Sequence, residues 1–300
     1  MTDSRPYVLL GDRGVLAVAG VDRVAFLQGL VSNDVAKATH ARTLYAALLT
    51  AQGKYLHDFF MVAEGDTLLI EGEAARLDDL RRRLTLYKLR SKVTIADTSD
   101  RLVAVALPGA EAARALELGQ EPGTARSFAR GIAYVDPRLA ALGVRLLLPR
   151  DDAASVLAAH GFTPAGADLY DRLRLTFGVP DGSRDMTIEK AILLEAGFDE
   201  LNGVDWNKGC YIGQELTART KYRALIKKRL MPVTIDGPLP LPGTIVQLGE
   251  AEAGEMRSGR DGLGLALLRL DAVAEAAQRG TPLTAGAARL TPVKPDWMRI

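Results

Sequence analysis

The chain reads as an α+β protein that closes in a small β-barrel-like domain, and three observations carry that reading. Two runs in the order β-β-α-β can be traced in the first half. From Lys227 onward, short apolar segments alternate with Gly and Pro turns, and only one stretch there has helical spacing. The apolar share is 48% and the charged share 25%, as in an ordinary globular protein.

Taken in order, Tyr7 to Leu10 and Val15 to Val18 flank Gly11-Asp12-Arg13-Gly14 and read as a hairpin. Apolar positions at 21, 24, 27, 30 and 31 have helical spacing, with Asp22 serving the first turn and Ser32-Asn33-Asp34 stopping the helix. Residues 44–50, 55–63 and 67–71 read as strands, with turns at 51–54 and 64–66. Glu73 to Arg90 reads as one long helix whose buried stripe is Leu77, Leu80, Leu84 and Tyr87, with Arg81, Arg82 and Arg83 as a solvated edge. Strands follow at 92–96 and 102–107, a helix at 110–118, strands at 132–135 and 144–148, and a helix at 151–160. The repeated order suggests ferredoxin-like or related α+β units. Asp168 to Phe177 is helical, with Leu169, Leu173 and Phe177 on one face, and residues 179–182 end it. The last part offers strands at 229–235, 245–248, 252–257 and 263–268, a helix at 270–278 and a final β pair within 282–290. The expected division is residues 1–226, two intertwined α+β subdomains, and residues 227–300, a small barrel that is marginal alone.

The 300 residues carry a net charge of +1, which gives no global basic field for nucleic acid. No apolar run is long enough to span a membrane. One cysteine excludes an intrachain disulfide and suits a reducing compartment. Met1 to Pro6 lacks a signal-peptide core and the Arg/Ser-rich character of a transit peptide, so a cytoplasmic protein is expected.

That one cysteine lies in Lys208-Gly209-Cys210-Tyr211-Ile212-Gly213-Gln214-Glu215, which continues to Arg219 and Thr220. The two glycines favour a turn that presents Cys210 and Tyr211 at a surface. A helix read from Gln214 to Arg223 would set Cys210 just ahead of its N-terminus, with Lys208 and Arg219 as nearby cations, features that favour a thiolate. The competing reading is a small buried apolar residue. Spacing leaves both open.

The run from Lys208 to Glu215 resembles the signature of the YgfZ family, folate-binding proteins related to glycine-cleavage aminomethyltransferase. Asn202 to Thr220 is most similar to the branch that contains the mitochondrial iron–sulfur assembly factor and its bacterial relatives. Further pieces resemble the family in the expected order: Phe26 to Val35, Gln52 to Asp58, and Arg174 to Pro180. The resemblance implies an aminomethyltransferase-like fold with a central cleft and a C-terminal β-barrel. It implies tetrahydrofolate as cofactor, and iron–sulfur client or assembly proteins as partners, including enzymes of tRNA modification. Asn33, Asp34, Arg174, Glu195, Lys208, Tyr211, Gly213, Gln214, Glu215 and Arg219 become the expected cofactor-binding residues. Tyr211, Gln214, Asn33 and Glu195 have the chemistry to hold a pterin, while Arg174, Lys208 or Arg219 could meet its glutamate tail. Cys210 is the expected functional thiol.

Asp58 stands near the catalytic carboxylate of the related transferases, so a folate-dependent one-carbon transferase is the alternative. However, Gly53-Lys54-Tyr55-Leu56-His57-Asp58 lacks their Gly-Gly-x-x-Asp-Asp-like pattern. A pure scaffold or RNA-linked module is a third reading, with direct nucleic-acid binding the least favoured by charge. His40, His57 and His160 are scattered, and no metal-binding or nucleotide-cradling motif appears. A Cys–His dyad would need one of those histidines beside Cys210. One thiolate cannot hold an iron–sulfur cluster, which takes four such ligands. A partner protein, a second copy or a small thiol must supply the rest.

Overall fold

The computed structural model describes residues 5–223 and 226–299. Met1 to Ser4, on which the reading of the N-terminal segment largely rests, lie outside the described residues. The chain forms two compact units: residues 1–49, 56–170 and 201–212 make unit 1, and residues 50–55, 171–200 and 213–300 make unit 2.

Unit 1 contains β1 (Arg5–Leu9), β2 (Arg13–Ala19), β3 (Leu44–Leu49), β4 (Tyr55–Glu64, but for its first residue), β5 (Thr67–Glu73), β6 (Thr94–Asp97), β7 (Leu102–Pro108), β8 (Ala125–Phe128), β9 (Gly131–Val135), β10 (Gly143–Pro149) and β11 (Phe162–Pro164). Its helices are α1 (Arg23–Gln28), α2 (Leu77–Lys88), α3 (Glu111–Ala115) and α4 (Ala153–Ala159). One sheet runs β3-β4-β5-β2-β6, the other β11-β1-β7-β10-β9-β8. Leu16, Phe59, Met61 and Ile70 of the first sheet form one core with Leu27 of α1 and Leu80 and Leu84 of α2. Val105, Val135 and Leu146 of the second form another with Ala113 of α3 and Leu157 of α4. The remaining sheet faces meet through charge and aromatic rings. The Tyr134 hydroxyl donates to Glu71 at 2.6 Å, Arg145 pairs with the same carboxylate, and the Arg145 guanidinium lies 4.4 Å from the Phe60 ring centroid.

Several local expectations are corrected. β1 and β2 do not pair: β1 joins β7 and β11, while β2 joins β5 and β6. The turn after Leu10 carries the chain from one sheet to the other, and alternation cannot reveal which strand is the partner. Asp22 makes no capping bond, and its carboxylate accepts Lys92 N–H at 2.6 Å. The long helix begins with a 3-10 turn over Ala74–Arg76, and Tyr87 is 45% exposed because it falls beyond the buried stripe. Arg81 and Arg82 are exposed, as a solvated edge requires, and with Arg83 they pair with Asp78 and Asp79.

Unit 2 contains α6 (Gly182–Asp185), α7 (Gln214–Tyr222), and α8 (Leu270–Arg279). Its strands are β12 (Lys228–Asp236), β13 (Ile245–Leu248), β14 (Ala251–Arg260), β15 (Leu263–Arg269), β16 (Leu283–Ala285) and β17 (Ala288–Pro292), which close a barrel in the order β12-β15-β14-β13-β16-β17. Met231, Val246, Met256, Leu268 and Leu290 fill its core with Ala272 and Ala276 of α8. Closure removes the unpaired strand edges that would otherwise invite aggregation. In α5 (Ala167–Phe177), Asp171, Arg174 and Leu175 are the buried positions, and Leu169 is 39% exposed. An apolar face was expected there; a buried charge edge is found.

Candidate functional site

In unit 1 the segment after Leu201 is stitched to the end of α1 from both sides of Cys210. α1 stops at Gln28, which leaves backbone carbonyls without helical donors. The Lys208 ammonium fills that gap, donating to Gln28 O at 2.8 Å, Val31 O at 2.6 Å and Asn33 O at 2.8 Å. A cation suits the negative end of a helix. Its three N–H groups match three acceptors, and it lies 5.1 Å from the Tyr211 ring centroid. Burial lowers its pKa to about 8, against the pull of Asp34 and Asp205, so it keeps its charge at neutral pH.

Further along, Ile212 N–H donates to Gly29 O at 3.1 Å, and Asp205 N–H to Ser32 O at 3.0 Å. The Ser32 hydroxyl donates to Gly203 O at 2.6 Å. The Asn33 amide donates to Tyr45 O and Asn202 O, both at 2.8 Å, and accepts Asp34 N–H at 2.8 Å. Between the anchors at Lys208 and Ile212, Gly209 and Cys210 are exposed. The buried-cysteine reading is thereby excluded: the loop holds its thiol out to solvent.

These contacts change what several expected residues can do. Both N–H groups of Asn33 are committed to carbonyls, so it shapes the loop's seat. Asp34 accepts Ala36 N–H and the Gln28 amide, which caps a turn. Lys208 is committed to backbone and cannot also meet a glutamate tail or a thiolate. Tyr211 is half-buried and Gly213, with φ +80°, starts α7 in the left-handed region that glycine tolerates. Cys210 therefore sits three residues ahead of Gly213. Gln214 is half-buried, while Glu215 and Arg219 are exposed on α7.

A cavity of about 280 Å³ opens beside the loop within unit 1, walled by Lys37, Arg42, Asn202, Asp205 and Trp206. Asn33, an expected site residue, also lines it. None of the other five was expected as a site residue, although Asn202, Asp205 and Trp206 lie in the run from Asn202 to Thr220 that resembles the family. Asp58 is 5% exposed and accepts the Tyr45 hydroxyl at 2.8 Å. His57 faces Asp79 at 2.9 Å, and burial, with Arg76, lowers its pKa to about 4. This contact takes His57 out of a dyad with Cys210. Burial alone would raise the Glu71 carboxyl, but Arg145 and Arg13 hold it at about 2.

In unit 2 Arg174 is buried in a charge cluster. It donates to Asp171 at 2.7 Å, Asp185 at 2.6 Å and Ser258 at 2.9 Å. Arg184 and Arg260 also bind Asp171. Arg174 is thus neither a surface salt bridge nor a free cation for a ligand. Glu195 lines a separate cavity of about 200 Å³ with Thr187, Lys190, Glu255 and Arg257. Burial raises its pKa, opposed by Lys54 and Lys228, and its carboxylate makes no hydrogen bond among the described residues. No group of three His, Cys, Asp or Glu side chains suited to a metal gathers among the described residues, and no described helix is long and apolar enough to cross a membrane.

Comparison with known proteins places these features. Residues 227–300 match the family model described as CAF17, C-terminal beta-barrel domain. The iron-sulfur cluster assembly factor IBA57, mitochondrial, from Mus musculus is 35% identical over 96% of this chain and 84% of its own length. Its Homo sapiens counterpart is 36% identical over 86% of this chain and 76% of its own. Among solved structures, glycine cleavage system aminomethyltransferase T from Bartonella henselae superposes with a TM-score of 0.77 at 16% identity, over 99% of this chain and 87% of that one. The fold is therefore aminomethyltransferase-like, as expected. The cytoplasmic expectation is corrected, because these relatives are named as mitochondrial proteins. A lone cysteine and an ordinary composition suit any reducing compartment and gave no physical warrant for the cytoplasm in particular.

Proposed function

As the chain belongs to the IBA57 family of iron–sulfur cluster assembly factors, we propose that it acts in cluster assembly or repair through the Cys210 thiol. The observation that carries this reading is the exposed thiol between two anchored residues, Lys208 and Ile212. A thiolate is a soft ligand for iron. One thiolate leaves the rest of a cluster's coordination to a partner protein, a second copy or a small thiol. That incompleteness suits transient holding and hand-over to client proteins, among them enzymes such as aconitase or radical methylthiolating enzymes of tRNA modification. The test is anaerobic loading with iron, sulfide and a small thiol. Visible cluster absorbance with the wild-type chain, lost in Cys210→Ser, is expected; equal absorbance from both removes the thiol role.

The finer reading is tetrahydrofolate binding, as in the YgfZ family. Its support is the Lys208 to Glu215 run and the half-buried Glu195 carboxylate, which can accept the donor edge of a pterin. Anaerobic calorimetry with tetrahydrofolate tests it: saturable one-to-one binding, weakened in Glu195→Gln, is expected, and no heat of binding removes it. The transferase alternative is weaker, because Asp58 is buried and already accepts the Tyr45 hydroxyl.

A further inference from the structure

Exposed apolar side chains are ordinary when scattered, and it is their grouping that marks a surface. At the C-terminal end of α2, Leu86 is 68% exposed and Leu89 88% exposed, with Tyr87 exposed between them. Leu86 lies on the helix face opposite the buried Leu84. Leu89 follows the last helical residue at φ 42° and ψ −110°, a positive φ that favours glycine. A leucine held there costs the fold strain, and being exposed it returns no burial in exchange. Another exposed apolar residue is tied to the same segment. Val21 is 79% exposed, and the turn that carries it is held by Lys92 N–H, which donates to the Asp22 carboxylate at 2.6 Å.

The charge around these side chains is of one sign. Residues 80–96 hold six cations and no acid. Arg81, Arg82 and Arg83 pair with Asp78 and Asp79 in the preceding turn. Lys88, Arg90 and Lys92 have no side-chain hydrogen bond or ion pair among the described residues. Arg90 and Lys92 are exposed, and Lys88 is half-buried, so its stem covers apolar surface while its ammonium reaches water. The complement of such a surface is negative and accepts protruding leucines. A nucleic-acid backbone meets the first demand and offers nothing to the second. An anionic lipid headgroup layer meets both, because its phosphates attract cations and its acyl boundary takes up apolar side chains.

We propose that the C-terminal end of α2 and the Leu89 segment seat the protein on an anionic membrane surface. Leu86 and Leu89 enter the headgroup layer, and Tyr87 lies at its boundary, where amphipathic rings settle. Lys88, Arg90 and Lys92 meet lipid phosphates. The chain lies on the membrane and does not cross it; no described helix is long and apolar enough to cross. Only residues of unit 1 take part, and neither the thiol nor a folate bears on the contact.

The test is sedimentation of the full chain with vesicles of phosphatidylcholine alone and of phosphatidylcholine mixed with phosphatidylglycerol. The wild-type chain is expected to sediment with the anionic vesicles, to stay in solution with the neutral ones, and to be released as salt is raised. Leu86→Ser together with Leu89→Ser should weaken anionic binding at least about tenfold. Lys88→Gln, Arg90→Gln and Lys92→Gln should each weaken it about fivefold. Leu89→Gly separates the surface from the fold. It should weaken binding without lowering the melting temperature, because glycine relieves the strain at the positive φ. A lowered melting temperature there would mean that Leu89 serves the fold, and overturns the proposal. No binding of the wild-type chain to the anionic vesicles overturns it too, and binding to polyglutamate in that case would assign the cations to an acidic protein. Anionic binding that ignores both leucines also overturns it, as an attraction of charge alone.

Discussion

The loop around Cys210 and the cluster around Arg174 both rest on a buried cation, yet they treat it in opposite ways. In the loop, the Lys208 ammonium binds backbone carbonyls, so the charge fixes the path of the chain and leaves a neighbouring side chain in solvent. In the cluster, Arg174 binds side-chain carboxylates, so charge is matched to charge and nothing is left over. A buried cation on main chain builds a platform; a buried cation on carboxylates builds a closed network. Only the platform presents a group for chemistry.

Breaking the network should have the largest effect. Arg174→Ala leaves the buried Asp185 carboxylate without its main partner, and a loss of about 3–5 kcal/mol is expected in urea unfolding. A variant of near-normal stability with altered folate affinity would instead make Arg174 a ligand residue. Lys208→Met strips the donors from three carbonyls and should cost about 2–3 kcal/mol. It should also speed amide exchange at Ile212, which is hydrogen-bonded to Gly29 O. Slow exchange there in the variant would mean that Lys208 is not the anchor.

Gly53→Ala examines how unit 2 seats the start of α7. A Cβ at Gly53 would stand 2.5 Å from Leu216 Cβ and 2.7 Å from Gly213 O, and φ is +79°. A cost of about 1–3 kcal/mol is expected in thermal unfolding, and a neutral result would show that this close approach relaxes freely. The smallest effect concerns His57. Its folded pKa of about 4 lies below the usual 6.5, so the unfolded chain binds a proton that the fold refuses. Stability should therefore fall as pH drops from about 6.5 towards 4, by about 1–2 kcal/mol at pH 5. His57→Gln should flatten that part of the profile; an unchanged slope would assign the acid sensitivity to other groups.

The contrast also explains what could be read beforehand. Strands and helices that bury one apolar face, such as β12 to β15 and α8, were legible because alternation and helical spacing record burial directly. The barrel was legible for the same reason. The β1–β2 pairing was misread because turn residues look alike whether they close a hairpin or cross between sheets. Arg174, Lys208 and Asn33 stood out as polar residues in motif segments, but a sequence cannot say whether a polar group faces a ligand, a carboxylate or a carbonyl. The Glu71–Arg145–Tyr134 contact between the two sheets of unit 1 went unseen, because its members are far apart in the chain and each looks like a surface residue alone. Cys210 was legible as a candidate through its glycine-flanked turn, while its exposure needed the anchors at Lys208 and Ile212.

The most direct test of the account is the activity of an iron–sulfur client, such as aconitase, in cells whose only copy of this protein is Cys210→Ser. The variant should fold with unchanged stability, because the thiol is exposed, and client activity should fall to the level of a deletion strain. Normal client activity beside a stable, well-expressed variant would contradict the account, and would leave the anchored loop as architecture alone.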